Sequence, residues 1–292
     1  PMDKEKLYVT VYPDDEESYN RWIELGLDPS HIVKCSGNFW DIGPGPCGPD
    51  SEIWFDRGEK YDPEGLGVKL IDEYIESYRY IEIWNNVFMQ YNKTKEGKFE
   101  PLAQKNVDTG LGLERVISLL QGKNNVYETE LFADVIAKTE ELAENANINS
   151  CRIIADHLRA SIFMIIDGVR PSNVEQGYVL RRLLRRVIRH MRKIGFNPDQ
   201  ISVLVETFVG VMTEMYPEVP ANKDTLIEVI NEEKNKFVKT LEHGEKEFTK
   251  NAEKTKAEGK DKIDGPVVFR LYDTFGFPPE MTAELAEEQG LK

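Results

Sequence analysis

The hydrophobic pattern of the second half of the chain is helical. Apolar residues recur at a spacing of three and four over residues 151–169, 178–192, 201–215 and 225–257, which predicts four amphipathic helices. Residues 257–264 are rich in Lys and Gly and predict a loop. A last short helix should start at Pro278–Pro279 and stop at Gly290. The chain is therefore predicted to be helical from about residue 128 onward.

The first half has the pattern of strands separated by Gly and Pro. Residues 7–12, 51–56 and 80–92 carry β-branched and aromatic residues. Asp14 and Glu17 have the spacing of a helix capping box, and that helix should end before Gly26. The order of these elements favours an α+β protein whose strands precede its helices.

The predicted strand over 80–92 has two unlike faces. Ile81, Ile83, Val87 and Met89 make one face apolar, whereas the other face mixes aromatic and polar side chains. The members of this mixed face are Glu82, Trp84, Asn86, Phe88 and Gln90. A strand face turned to solvent rarely carries Trp and Phe, so the pattern predicts that the mixed face lines a site.

Composition excludes several classes of protein. A length of 292 residues suggests two domains. Three scattered cysteines do not make a disulfide framework, and four histidines without finger-like spacing predict no zinc site. No apolar run approaches the ~18 residues of a membrane span, and the first residues lack the pattern of a secretory signal. We therefore expect a cytoplasmic protein without a membrane partner.

The net charge of −15, from 37 basic and 52 acidic residues, at first argues against nucleic-acid binding. Residues 181–193 nevertheless contain seven basic residues and no acidic one, which leaves −22 for the rest of the chain. These are Arg181, Arg182, Arg185, Arg186, Arg189, Arg192 and Lys193. Two alternatives follow, namely ion pairs with acidic residues elsewhere in the chain or contacts with RNA phosphates.

The segment 107–116 carries the sharpest local motif. Gly110 and Gly112 fall where a predicted strand gives way to a helix, and glycines there let a ligand approach the backbone. Arg115 lies in the first helical turn, where its charge adds to the positive end of the helix dipole and suits a phosphate group. The alternative is a glycine turn followed by a surface arginine.

A longer comparison of motifs points to one family. The run Gly-Leu-Gly-Leu-Glu-Arg at 110–115 resembles the third signature motif of class II aminoacyl-tRNA synthetases, and Asp108-Thr109 before it resembles the alanine-specific family in that class. Further stretches resemble the same family in the same order. They lie at residues 38–43, 45–53, 81–90, 154–157, 167–173, 177–182 and 269–278. The resemblance implies the later part of an antiparallel-sheet catalytic domain over residues 1–140 and a helical tRNA-recognition domain over 141–292.

The resemblance also implies an activity and its residues. The family activates alanine with ATP and Mg²⁺ and transfers it to tRNA-Ala. Arg115 would bind the ATP triphosphate, and Asp108 would hold the α-ammonium group of alanine. Trp40, Asn85 and Val87 would shape the alanine pocket. Asn85 and Val87 point away from the mixed face, so the two predictions conflict unless a bulge shifts the alternation.

Alternatives remain for these residues. Asp108 could cap a turn at Gly110, and Trp40 could belong to the core. On the RNA side, the resemblance implies that Asn173 and Asp273 read a wobble base pair in the tRNA acceptor stem. Turn formation and helix capping are the respective alternatives. Of the basic run, Arg181, Arg182 and Arg185 are expected to contact RNA, and the remaining residues to form internal ion pairs.

Two parts of the family's sequence pattern are missing from residues 1–292. The first two class II motifs would lie before the matched region and an editing domain after it. We therefore expect an alanine–tRNA ligase whose 292-residue portion works with an N-terminal catalytic segment and a downstream editing domain, and which alone does not form alanyl-adenylate. The alternative is a non-catalytic tRNA-binding module or a subunit of a split synthetase.

Overall fold

The computed structural model describes residues 2–73, 75 and 77–292. The chain divides into two compact units, residues 1–129 and residues 130–292. The helix Ala133–Leu142 crosses the predicted boundary at residue 140 and lies in the second unit. A mixed sheet followed by helices is the α+β arrangement predicted from the sequence.

The first unit contains a six-stranded sheet in which β1 and β2 are parallel and the other pairs are antiparallel. The strand order is β2-β1-β4-β5-β6, and β3 pairs with β4 outside this path. The strands are β1 (Leu7–Val11), β2 (Ile32–Lys34), β3 (Phe39–Asp41), β4 (Gly45–Asp56), β5 (Tyr80–Lys93) and β6 (Phe99–Leu111). The three strands predicted from the alternation pattern are β1, the end of β4 and β5.

Helices cover parts of both faces of this sheet. They are α1 (Glu16–Glu24), α2 (Lys69–Asp72) and α3 (Leu113–Leu120). Trp22 of α1 packs with Val9, Val11 and Ile32 on one side, and Ile71 of α2 packs with other residues in a separate cluster. The predicted cap of α1 was one residue off, because Asp15 and not Asp14 accepts the hydrogen bond from the backbone N–H of Ser18, at 3.1 Å.

A bulge in β5 changes which residues share a face. Ile53 of β4 pairs with Trp84, whereas the next residue, Trp54, pairs with Glu82. Ile83 is therefore the extra residue, and Glu82 and Trp84 point to opposite faces. The strict alternation predicted for this strand was wrong at Glu82, which joins the face of Asn85.

The second unit is a helical bundle. Its helices are α4 (Ala133–Leu142), α5 (Ile148–Ile166), α6 (Glu175–Lys193), α7 (Ile201–Met212), α8 (Glu218–Ala221), α9 (Lys223–Ala257), α10 (Gly265–Phe275) and α11 (Pro279–Glu288). The helices predicted from periodicity are confirmed, with ends that differ by a few residues. Among the described residues, no helix is both long and apolar enough to cross a membrane.

Helix α6 is buried more completely than its apolar stripe alone would require. Leu180, Leu184 and Ile188 lie in the core, as their spacing predicted. Arg185 and Arg189 are buried as well. Charged groups in such an environment need partners, so the basic run cannot be a simple solvent-facing stripe.

Candidate functional site

The predicted substrate residues of the first unit meet on one face of the sheet. Asp50, Val87 and Asp108 are directly opposite one another on β4, β5 and β6. Asn85 occupies the next row of this face, because it pairs with Gly110 on β6. The structure thus brings together three residues that the resemblance assigned to alanine, namely Asn85, Val87 and Asp108.

Asp108 lies within a strand and is exposed. Its Oδ1 accepts a hydrogen bond of 2.9 Å from the backbone N–H of Thr109. Gly110 is paired with Asn85 in the sheet, so there is no turn at Gly110 for Asp108 to cap. The carboxylate is therefore available on the same face as Val87.

Gly110 has no internal reason to be glycine. Its φ is not positive, and among the described residues no heavy atom beyond its chain neighbours would lie within 4 Å of a Cβ there. Gly48 is the opposite case, since a Cβ at Gly48 would lie 2.2 Å from the carbonyl oxygen of Phe88. Packing therefore requires glycine at Gly48, whereas Gly110 leaves open space on the face that carries Asn85, Val87 and Asp108.

Arg115 lies in the first turn of α3, as predicted, three residues after the N-cap Gly112. Its Nη1 donates to the Oε2 of Glu82 at 2.8 Å and to the backbone carbonyl of Glu82 at 3.0 Å. The side chain of Arg115 is 49% exposed. The guanidinium is therefore held at the helix N-terminus while part of it remains accessible to a ligand.

Trp40 is half-buried on β3, and its Nε1 donates to the carbonyl oxygen of Phe88 at 3.2 Å. This bond ties β3 to the strand that carries Val87. Trp40 is not an ordinary core residue, which was the alternative, because its side chain is not among the buried hydrophobic residues.

Two acids, the buried Asp50 and the half-buried Glu52, underlie the candidate alanine pocket, and sequence reasoning did not select them. The Oδ2 of Asp50 accepts from the Nδ2 of Asn85 at 3.0 Å, and Glu52 accepts from the hydroxyl of Thr10 at 3.0 Å. Burial raises the pKa of Asp50, and burial together with the charge of Glu82 raises the pKa of Glu52. The Asp-Ser-Glu spacing, which puts both acids on one face, was the available signal.

The mixed face of β5 lies on the opposite side of the sheet from Asn85 and Val87. Asn86 and Phe88 line a cavity of about 390 Å³ together with Trp22 of α1. The indole N–H of Trp22 donates to the hydroxyl of Ser51 at 2.8 Å. The mixed face thus borders a helix-covered cavity, and the residues of the alanine prediction lie on the opposite side of the sheet.

Within the described part of the chain, no group of three or more His, Cys, Asp or Glu side chains is placed to hold a metal ion.

In the second unit, a pocket of about 310 Å³ gathers most of the residues predicted to contact tRNA. Asn173, Arg181, Arg185 and Asp273 all line it, together with Lys236, which the sequence did not suggest. Arg181 donates a hydrogen bond to the side-chain oxygen of Asn173. Residues separated by up to 100 positions in sequence thus form one polar surface.

Asn173 and Asp273 are both exposed. Asn173 lies in the segment before α6, whose N-cap is Val174. Asp273 lies in the last turn of α10, whose N-cap is Asp264, and α11 is preceded by Pro278. Helix capping therefore does not account for Asp273.

Most of the basic run is paired within the second unit. Glu280, Glu284 and Glu288 recur every four residues along α11 and face α6. The resulting pairs are Arg182–Glu280 at 2.9 Å, Arg186–Glu284 at 3.1 Å, Arg189–Glu284 at 3.3 Å, Arg189–Glu288 at 2.5 Å and Lys193–Glu288 at 2.5 Å. Internal pairing, one of the two alternatives, thus holds for these residues, and Arg181 remains directed towards the pocket.

Comparison with known proteins identifies the family. Residues 1–292 match the family model of class II tRNA synthetases (A), and the chain belongs to that family. It is 47% identical over 297 residues to the alanine–tRNA ligase of Lactococcus lactis subsp. cremoris strain MG1363. The aligned region covers 99% of this chain and 34% of that protein. It is 46% identical over 299 residues to the alanine–tRNA ligase of Streptococcus mutans serotype c, covering 100% of this chain and 34% of that protein. The chain thus spans about a third of the length of the curated relatives it matches.

Proposed function

We propose that the protein to which this chain belongs is an alanine–tRNA ligase, which activates alanine with ATP and transfers it to tRNA-Ala. The observation that carries this proposal is the shared sheet face of Val87, Asp108 and Gly110, next to Arg115 at the start of α3. The 47% identity to the Lactococcus lactis alanine–tRNA ligase supports it independently.

Alanine binds over the β5–β6 face in this proposal. The carboxylate of Asp108 pairs with the α-ammonium group, which is its natural charge complement. Val87 and Trp40 offer apolar surface to the methyl group, and Gly110 leaves the space that the substrate occupies. Asn85 is held by Asp50 at 3.0 Å, so its amide has a fixed orientation next to this space.

ATP, accompanied by Mg²⁺ as part of the substrate, places its triphosphate near Arg115. The guanidinium adds to the partial positive charge of the α3 N-terminus, and both stabilise phosphate oxygens. Glu82 keeps the guanidinium from turning into solvent. Arg115 thereby helps to bind and orient the phosphates for attack by the alanine carboxylate on the α-phosphorus, which breaks the bond to the α–β bridging oxygen and releases pyrophosphate.

The acceptor stem of tRNA-Ala binds at the pocket of the second unit. The amide of Asn173 and the carboxylate of Asp273 suit the base edges that a wobble pair presents in the wide minor groove of A-form RNA. Arg181 and Arg182 contact backbone phosphates, Arg182 by exchanging its partly exposed pair with Glu280. Arg185, the third arginine of the prediction, is buried.

The 292 residues act together with other parts of the same protein in this proposal. The first two class II motifs supply further ATP contacts, and an editing domain follows. Residues 1–292 alone therefore do not form alanyl-adenylate. The full-length protein acts in the cytoplasm in this proposal.

Alanine-dependent exchange of pyrophosphate into ATP tests the proposal. The full-length protein should exchange with alanine, and Asp108→Asn should raise the KM for alanine at least tenfold. Lys105→Ala, a change on β6 away from this face, serves as the control. Exchange that depends on another amino acid, or an Asp108→Asn variant with unchanged kinetics, would overturn the proposal.

A further inference from the structure

Arg185 is held by partners on helix α9 and in the turn that follows helix α10. Its side chain is buried on α6, with 9% of the residue exposed. Its Nε donates to the Oε1 of Glu233 on α9 at 2.7 Å, and its Nη1 donates to the backbone carbonyl of Gly276. The guanidinium also lies 5.0 Å from the ring centre of Phe237. A phosphate could not replace these contacts without leaving the Glu233 carboxylate buried and unpaired.

Gly276 forms the turn between α10 and α11. It has a φ of +72° and ends α10 in the left-handed conformation that glycine adopts readily. A Cβ at Gly276 would lie 2.1 Å from the Nη1 of Arg185. Both its backbone conformation and its contact with Arg185 therefore require glycine.

The residues on each side of Gly276 are fixed as well. The carbonyl of Phe275 accepts a hydrogen bond of 2.8 Å from the hydroxyl of Thr240 on α9. Phe277 is fully buried and packs edge-on against Phe237 at 5.7 Å between ring centres. The turn is thus attached to α6 by Arg185 and to α9 by Thr240.

This turn directly follows the helical turn that carries Asp273. On the other wall of the pocket, Asn173 is bonded to Arg181, which lies one helical turn before Arg185 on α6. Two arginines of one helix therefore set the locations of the two residues proposed to read the base pair.

We infer that Arg185 is a positioning residue for base-pair recognition. It fixes the α10–α11 turn against α6, and so sets the separation of Asp273 from Asn173, without touching RNA. This inference rests on the proposed function, because it concerns the same pocket. It replaces the phosphate contact expected for Arg185 from the sequence.

The test compares tRNA-Ala carrying its acceptor-stem wobble pair with the same tRNA carrying a Watson–Crick pair at that place. The full-length protein is assayed for kcat/KM of alanylation with both. Arg185→Met is combined with Glu233→Gln, so that no carboxylate is left buried without a partner. Thr240→Val removes the second attachment of the turn at nearly constant volume. Lys193→Met, at the exposed end of α6, is the control.

The inference predicts that the Arg185–Glu233 double variant lowers the wobble-to-Watson–Crick ratio of kcat/KM at least tenfold. Thr240→Val should lower it by a smaller factor, and Lys193→Met should not change it. Alanine-dependent pyrophosphate exchange and the salt slope of tRNA binding should be unaffected, because neither substrate activation nor phosphate contacts change. If the double variant does not fold, the Thr240→Val result decides.

Two results would overturn the inference. Equal losses with both tRNAs, together with a salt slope reduced by about one, would make Arg185 a phosphate ligand. An unchanged ratio in folded variants would give it a purely structural role. Asp273→Ala is measured in parallel. If Asp273→Ala leaves the wobble-to-Watson–Crick ratio of kcat/KM unchanged, the proposal that Asp273 reads the base pair fails. If Asp273→Ala lowers this ratio but the Arg185 and Thr240 variants do not, only the role of Arg185 is rejected.

Discussion

Arg115 and Glu82 form an ion pair of 2.8 Å at the start of α3, and a second bond of 3.0 Å joins the same guanidinium to the Glu82 backbone. The pair exists because the bulge at Ile83 turns Glu82 to the face of Asn85. It holds the guanidinium next to the helix N-terminus, where the proposed function places the ATP phosphates. Preorganisation of this kind lowers the cost of orienting a charge during catalysis.

Arg115→Ala should therefore impair the use of ATP more than the use of alanine. We expect kcat/KM for ATP in pyrophosphate exchange to fall by about 100-fold, the usual effect of removing one charged group that stabilises the transition state. The KM for alanine should change little. Steady-state exchange kinetics of the full-length protein check this, and a loss confined to the alanine KM would contradict the assignment.

Gly110→Ala should alter substrate binding without altering the fold. A Cβ at Gly110 meets no described atom within 4 Å outside its chain neighbours, so the thermal midpoint should stay the same. The KM for alanine should rise about tenfold, since a methyl group would occupy space used by the substrate. Gly48→Ala is the matched control and should destabilise the protein, because its Cβ would lie 2.2 Å from the Phe88 carbonyl. Equal behaviour of the two variants would refute the distinction.

Acid should weaken the contact between α6 and α11. Burial lowers the pKa of His190, so the folded state resists its protonation and loses stability as the pH falls through the ordinary value of 6.5. Burial alone would raise the pKa of Glu284, but hydrogen bonds from His190 and Arg186 hold it far below its ordinary value. Its contribution is present above pH 4.5 and is lost at lower pH.

Glu284→Gln should therefore destabilise the 292-residue chain at pH 7 by about 3 kcal/mol, the cost of breaking a largely buried ionic group. The difference from the unmodified chain should shrink as the pH falls below 4. Thermal unfolding followed by circular dichroism at pH 8, 6, 4 and 3 measures both effects. A constant difference over this range would show that the charge of Glu284 is not what stabilises α11.

The two alternatives for the basic run can be separated by salt dependence. Arg181→Gln should weaken tRNA binding and reduce the slope of log affinity against log salt by about 0.7 to 0.9, the value for one phosphate contact. Arg186→Gln should lower stability without changing the slope, since Arg186 is paired with Glu284. Binding measured between 50 and 200 mM salt, roughly the range over which such slopes are resolved, distinguishes them. Equal slopes for both variants would remove Arg181 from the RNA contacts.

The sequence predicted the elements of the fold because their hydrophobic periods are strong. Helices α5, α6, α7 and α9 and strand β5 follow from spacing alone, whereas α4, α8 and α10 were not singled out from the sequence. The face of Glu82 could not be predicted in the same way, because a single bulged residue reverses the alternation and leaves no clear mark in the sequence. The Asp15 cap differed from the prediction by one residue for a similar reason, since neighbouring aspartates offer the same side chain.

The candidate sites were predicted by motif, and their tertiary partners were not. Nothing near Arg185 in sequence indicates Glu233 or Gly276, which lie 48 and 91 residues away. The partners of the acidic face of α11 likewise become apparent only from its packing against α6. Ion pairs between distant segments depend on how helices meet, and charge composition alone could not divide the basic run between internal pairing and RNA.

Charging of tRNA-Ala by the full-length protein, assayed with each of the twenty amino acids in turn, tests the central claim most directly. The account predicts that alanine is attached at the highest kcat/KM and that Asp108→Asn reduces this value at least tenfold. Preferred attachment of another amino acid, or no attachment of alanine to tRNA-Ala, would contradict it.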